Sequence, residues 1–191
     1  MDLDILEEIY DQTEALRAQD QDLMDELESC GDRYRDPEFI CEGGMKSVYR
    51  CLDRHTDRKI VMVKPKSAEL NELFVREGRL NSFLQHPNIM PVYDIGLTEQ
   101  GKPFFTMKEV VGQDMDQVVR QDYVLANMID VFIKICEGVN YAHSLGIVHL
   151  DLKPANIRIG NFGEVVVCDW GIAELGGDLG DENESFLDKE L

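Results

Sequence analysis

Residues Ile147 to Gly160 read IVHLDLKPANIRIG and set His149, Asp151, Lys153 and Asn156 close together, on a stretch that Pro154 keeps from being a long regular element. A carboxylate, an ammonium and an amide so close in sequence can serve structure alone: Asp151 could cap the turn before Pro154, and Asn156 could satisfy loop backbone. What argues for chemistry is the order of the surrounding features. A glycine pair lies in CEGGMKSV (Cys41 to Val48), a lysine closes KIVMVK (Lys64), a glutamate sits in FVREGRL (Glu77), and an aspartate follows in CDWG (Asp169).

The succession of glycine loop, strand lysine, helix glutamate, H-x-D-L-x-x-x-N and D-x-G resembles the protein kinase family in its bacterial serine/threonine branch, over roughly Tyr34 to Leu175. The chemistry this implies is phosphoryl transfer, where catalysis is mostly the positioning of a triphosphate and the neutralisation of its charge. The resemblance implies ATP and Mg²⁺ as cofactors and an ATP-dependent serine/threonine protein kinase as the function. Lys64 matches the lysine that holds the phosphates, and Glu77 the glutamate that pairs with it. Asp151 matches the base that accepts the hydroxyl proton, with Lys153 near the transferring phosphate. Asp169 and Asn156 match the two metal ligands. Gly43, Gly44 and Val48 fall in the loop over the nucleotide, Met107 resembles the gatekeeper, Lys108 to Val110 the hinge that meets adenine, and Asp114 a carboxylate at the ribose. His149 matches a packing and hydrogen-bonding residue outside the catalytic set.

Several positions depart from the family pattern. Cys41 and Lys46 replace the first and third loop glycines, where glycine lets backbone approach phosphate closely. Lys46 could add positive charge near the phosphates or occupy their site. Met62 stands where alanine roofs the adenine, and Arg158 where an apolar side chain lies beneath it. Asn81 replaces an apolar residue of the stack behind Glu77, and a buried amide there needs hydrogen-bond partners. Leu150 replaces the arginine that engages a phosphorylated activation loop, which removes that mode of control. Only 20 residues follow Gly171, without an A-P-E motif. That leaves a second reading open: a pseudokinase acting as a nucleotide-binding or regulatory interaction module.

The elements that must position these groups follow from periodicity. Strands are expected on both sides of the glycine pair, over Lys59 to Lys64 up to Pro65, and over Met90 to Leu97 and Pro103 to Val111 across the turn EQGK. A helix is predicted from about Ala68 to Leu84, with Leu70, Leu73, Phe74, Leu80 and Leu84 on one face. Another runs from Met128 to His143, with Ile129, Phe132, Ile133, Cys136 and Val139 repeating at three and four. Asn156 to Ile159 and Val165 to Cys168 suggest a hairpin across GNFG. Near the start, Leu6, Ile9, Leu16, Leu23 and Leu27 mark an amphipathic helix interrupted at Thr13 and Asp20. The fold class expected is α+β and kinase-like: a five-stranded antiparallel N-lobe with one long helix, plus an incomplete, mostly helical C-lobe. The expected divisions are an acidic helical extension (1–33), an N-lobe (34–111), a partial C-lobe (112–175) and an acidic flexible tail (176–191), the composition turning to Gly, Asp and Glu beyond Ile172.

The formal charge of −19 over 191 residues is uneven. Residues 1–33 carry −10 and residues 172–191 carry −6, which leaves −3 for the ordinary domain between them. Two acidic arms argue against nucleic acid or an anionic membrane as partner, since either needs a basic face. The expected partners are a protein substrate or a regulatory protein, with a homodimer through the N-terminal helix or the incomplete C-lobe as a further option. The five cysteines (Cys30, Cys41, Cys51, Cys136, Cys168) show no C-x-x-C spacing, which fits a reduced chain. With no signal peptide or membrane-length apolar run, the expected location is cytoplasmic.

Overall fold

A computed structural model describes residues 33–120, 125–171 and 173–175. The helix expected over residues 3–28 and the tail over 176–191 lie outside the described residues. Strands β1 (Tyr34–Glu42), β2 (Lys46–Asp53), β3 (Arg58–Pro65), β4 (Val92–Leu97) and β5 (Pro103–Lys108) form one antiparallel sheet in the order β1-β2-β3-β5-β4. β3 buries four residues in succession, Ile60 to Val63, which is why its sequence shows a continuous apolar run rather than alternation. β4 and β5 join through the expected turn, where Gly101 takes φ +72° and its N–H donates to the Thr98 carbonyl.

Helix α1 (Asn71–Phe83) is preceded by a single 3₁₀ turn, Ala68–Leu70, so the predicted helix divides in two at its start. It lies against β4 and β5 through Phe74, stacked 4.8 Å from Phe105, and through Gly78, where a Cβ would meet the side chains of Phe105 and Ile95 at 3.2 and 3.3 Å. Glu77 and Asn81 share that buried face. Leu73, expected inside, is exposed, because the inward arc is already filled by Phe74, Glu77, Gly78, Leu80 and Asn81.

After β6 (Gly112–Asp114) and the short α2 (Met115–Val119), helix α3 spans Leu125–Ser144, and Gly146 at φ +75° closes its C-terminal turn. The apolar repeat that marks this helix in the sequence is mostly its outer face. Ile129, Phe132, Ile133 and Cys136 are exposed, while Val131, Ile135 and Ala142 are buried with Met128 packed beside them. Gly138 belongs to that buried stripe, since a Cβ there would lie 3.0 Å from the Asn88 carbonyl oxygen. The helix is apolar around more than half its circumference, so periodicity alone offers two faces.

β7 (Ile147–Val148) leads into the loop at His149 and a 3₁₀ turn (Pro154–Asn156), followed by β8 (Ile157–Gly160) and β9 (Val165–Val167). β6, β8 and β9 form an antiparallel sheet, and β10 (Glu174–Leu175) pairs with β7, so the chain just past Ile172 is attached rather than loose. Trp170, Ile89, Ile147, Ile157 and Val167 are the most deeply buried part of the core beneath the loop.

Two compact units result. Among the described residues, one joins residues 33–37 with 51–59, and the other joins residues 38–50 with those from 60 to 175. Within the described part of the first, Asp53 is 2% exposed and receives hydrogen bonds from Arg33, Thr56 and the His55 N–H, which fixes the turn after β2. Every residue of the candidate site described next belongs to the second unit.

Candidate active site

The loop after β7 is organised from its buried histidine. His149 is buried, with its ring centroid 4.5 Å from that of Trp170. Its Nδ1 accepts from the Asp151 N–H at 3.2 Å, so the proton sits on Nε2 and is donated to the Cys168 carbonyl at 3.0 Å. This matches the packing and hydrogen-bonding part expected for it. Between His149 and Asp151 the chain reverses through Leu150 at φ +60°, a left-handed conformation that a bulky residue seldom adopts. The reversal turns Leu150 outward and Asp151 toward Lys153 and Asn156.

Lys153 Nζ donates to Asp151 Oδ2 at 2.7 Å, and Asn156 Nδ2 donates to the same oxygen at 3.1 Å and to the Asp151 carbonyl at 2.9 Å. The hydrogen bond from Lys153, with that from Asn156, holds the Asp151 carboxyl below its ordinary 3.8 against a smaller opposing effect of desolvation. Asp151 therefore remains ionised, and Oδ1 receives no hydrogen bond among the described residues. The backbone alternative for Asn156 is partly realised too, since its Nδ2 donates to the Asp151 carbonyl, whereas the turn at Pro154 has no side-chain cap and the Asp151 carboxylate receives side-chain donors.

The Cys168 N–H donates to the Asn156 carbonyl at 2.8 Å, which ties this loop directly to the segment carrying Asp169. Asp169 itself has φ +64°, and its side chain is 44% exposed while the next residue, Trp170, is 1% exposed. Burial of the indole rotates the carboxylate outward. Gly171 follows because a Cβ there would lie 3.0 Å from Glu77 Oε2. Burial also pushes the Cys168 thiol up to about 12, so it is no nucleophile beside the site.

The ion pair in this region is not the expected one. Glu77 Oε1 is 2.5 Å from Lys46 Nζ, and the same ammonium is 2.6 Å from Asp169 Oδ1. Lys64, which sequence places opposite Glu77, has its ammonium 5.3 Å from the centroid of the Tyr49 ring and forms no ion pair among the described residues. Desolvation works against the charged form of Lys46, yet Glu77 and Asp169 outweigh it, and its pKa stands above the ordinary 10.5. Burial pushes the Glu77 carboxyl up, an effect that Lys46 offsets only in part.

A model of the protein kinase domain matches residues 34–186. The chain belongs to the protein kinase family. Its similarity lies with bacterial serine/threonine kinases. It is 35% identical over 163 residues to the serine/threonine-protein kinase PknD of Protochlamydia amoebophila, covering 75% of this chain and 16% of that protein. It is 34% identical over 178 residues to the protein of the same name from Chlamydia pneumoniae, covering 84% and 19%. The chain thus spans less than a fifth of the length of these relatives.

In this member of the family, Met107 and Val48 both pack against the cluster of Val61, Val63, Phe74 and Phe105. Lys108 Nζ lies 3.5 Å from Glu164. Arg158, expected beneath the nucleotide base, donates from Nη2 to the carbonyls of Val110 at 3.2 Å and Gly112 at 2.9 Å. It therefore fastens the hinge to β8. Asp114 caps α2 by accepting from the Gln117 N–H at 2.8 Å, a structural duty for the residue assigned to the ribose. Asn81 is 6% exposed and its Oδ1 has no hydrogen-bond partner among the described residues, the same condition as Thr106 Oγ1 next to Met107. The reading of Lys46 as a charge near the phosphates or an occupant of their site did not name Glu77 and Asp169 as its partners. Nothing in the pattern singled out Thr106. No helix among the described residues is long and apolar enough to cross a membrane.

Proposed function

We propose that this chain carries the phosphoryl-transfer site of a serine/threonine protein kinase that uses Mg²⁺ and ATP and acts on a protein hydroxyl. The observation that carries the proposal is the backbone bond from Cys168 to Asn156. It brings a base (Asp151), its lysine (Lys153), an amide (Asn156) and an outward carboxylate (Asp169) into one rigid group.

The residues fit the cofactor. A Cβ at Gly43 or Gly44 would meet nothing within 4 Å, so the turn before Lys46 is uncrowded at both glycines. Asp169 and Asn156 offer two oxygen ligands, and Asn156 Oδ1 is unbonded because its Nδ2 faces Asp151. Mg²⁺ characteristically takes one or two protein oxygens and completes its shell with phosphate and water. When bound, Mg-ATP supplies the γ-phosphoryl group and the ions that screen its charge. Asp151 receives the hydroxyl hydrogen on Oδ1 and keeps the attacking oxygen oriented. Lys153, released from Oδ2 as that proton arrives, neutralises charge on the transferring group.

The test is the melting temperature with and without millimolar Mg-ATP, for the unsubstituted chain and Asp169→Ala. A rise of several degrees that Asp169→Ala abolishes is expected. Transfer of labelled phosphate to a generic protein or to the chain itself should then disappear in Asp151→Ala. No thermal shift at all would refute the ATP site; a shift without transfer would leave a nucleotide-binding module.

A further inference from the structure

We infer that Lys46, rather than Lys64, is the principal lysine that meets the phosphates of the nucleotide. The inference rests on the ATP site proposed above and assigns the cation within it.

Lys46 is the first residue of β2, directly after the turn closed by the bond from the Gly43 N–H to the Lys46 carbonyl at 2.9 Å. It stands where the family pattern has the third loop glycine. A glycine leaves that space open for phosphate, and here a lysine side chain runs through it. Its ammonium bridges Glu77, which a kinase uses to aim its phosphate-binding lysine, and Asp169, which presents the metal-binding carboxylate. A cation held between those two carboxylates is next to whatever polyanion the metal brings. Only 19% of the Lys46 side chain is exposed, so the ammonium is already ordered and largely desolvated before a ligand arrives.

Lys64 cannot share the position without cost. A second ammonium against Glu77 would face the first at close range in a partly buried site, where like charges repel strongly. It lies instead over Tyr49, a residue of β2 that is also packed edge-on to Phe39, 5.3 Å from the Tyr49 ring centre. One substitution, lysine for the third glycine, thus accounts for both the filled loop and the displaced strand lysine. Atoms of β2 take over a duty that sequence assigns to β3.

The experiment compares Lys46→Met, Lys46→Arg and Lys64→Met in the full chain, with binding of Mg-ADP followed by calorimetry and folding checked by circular dichroism. Lys46→Met should weaken binding about tenfold or more, the loss typical of a charge-assisted bond, and at least three times more than Lys64→Met does. Lys46→Arg should recover most of the loss, which a role confined to folding would not require of a folded Met variant. Should Lys46→Met fail to fold, acylation of the unsubstituted chain by an N-hydroxysuccinimide ester, read by mass spectrometry, decides: Mg-ADP must protect Lys46 more than Lys64. Equal or greater loss in Lys64→Met, stronger binding in Lys46→Met, or preferential protection of Lys64 overturns the assignment while leaving the ATP site standing. Absence of any Mg-ADP binding to the unsubstituted chain removes the ATP site itself and this assignment with it.

Discussion

Thr106→Val should make the protein more stable. Thr106 lies on β5, opposite Met62 of β3 on one side and Asp94 of β4 on the other, and is 1% exposed with no partner for its hydroxyl among the described residues. A buried hydroxyl without a hydrogen bond costs on the order of 1–3 kcal/mol relative to one in water. Valine has nearly the same shape, suits a strand equally well, and places a methyl where the hydroxyl was, adding up to about 0.8 kcal/mol of apolar burial. The expected gain is therefore about 1–3 kcal/mol. For a chain of this length each kcal/mol moves the melting temperature by roughly 2–4 °C, so a rise of about 2–12 °C is anticipated. Urea denaturation should show the higher midpoint with an unchanged slope. Thr106→Ser serves as the control: it keeps the orphan hydroxyl, loses a methyl, and should melt below the unsubstituted chain. A Thr106→Val protein no more stable than the parent would refute the reasoning, because it would mean that the hydroxyl is satisfied.

Three further expectations follow from the same geometry. Burial alone would raise Asp53, but Arg33, Thr56 and His55 outweigh it and hold the carboxyl below its ordinary 3.8. Its contribution is thus fully present above pH 3.8 and fades as pH falls through the lower folded value, so Asp53→Asn should flatten the acid limb of a stability-against-pH curve measured from pH 5 downward. In native thiol labelling at pH 8, exposed Cys41 and Cys136 should react quickly and Cys168 should lag until the chain is unfolded, because burial pushes its thiol up to about 12; rapid native labelling of Cys168 would contradict the packing around it. Gly112→Ala should be strongly destabilising, by about 3 kcal/mol or more, since the new Cβ would lie 2.0 Å from the Ile159 carbonyl oxygen and would separate β6 from β8; an unshifted thermal melt would count against that close approach.

Much of the architecture was legible because local chemistry and tertiary role coincide. The continuous run KIVMVK marks a strand with both faces covered, and burial of Ile60 to Val63 is the same fact in three dimensions. The turn at Gly101 and the hairpin through Gly163 at φ +84° were readable for an equally local reason, since each needs a residue free to adopt positive φ. The inward face of α3 was not legible. Apolar residues at 128, 131, 135 and 142 and at 129, 132, 133 and 136 both satisfy helical spacing, and only contact with β7 and β9 selects the first. Nor were the partners of Arg158 legible, because its long side chain reaches the carbonyls of Val110 and Gly112, 48 and 46 residues earlier in the chain.

By itself the sequence determined the family and the cast of chemical groups: the order of glycine loop, lysine, glutamate, catalytic loop and metal motif is a property of the chain, and it survives any arrangement of side chains. Only the tertiary structure decided which lysine meets Glu77. Two lysines lie on adjacent strands, each on a flexible four-carbon stem, and a sequence cannot rank their reach. The fold ranks them, because one buried carboxylate beside Asp169 holds a single ammonium closely, and Lys46 is the one there.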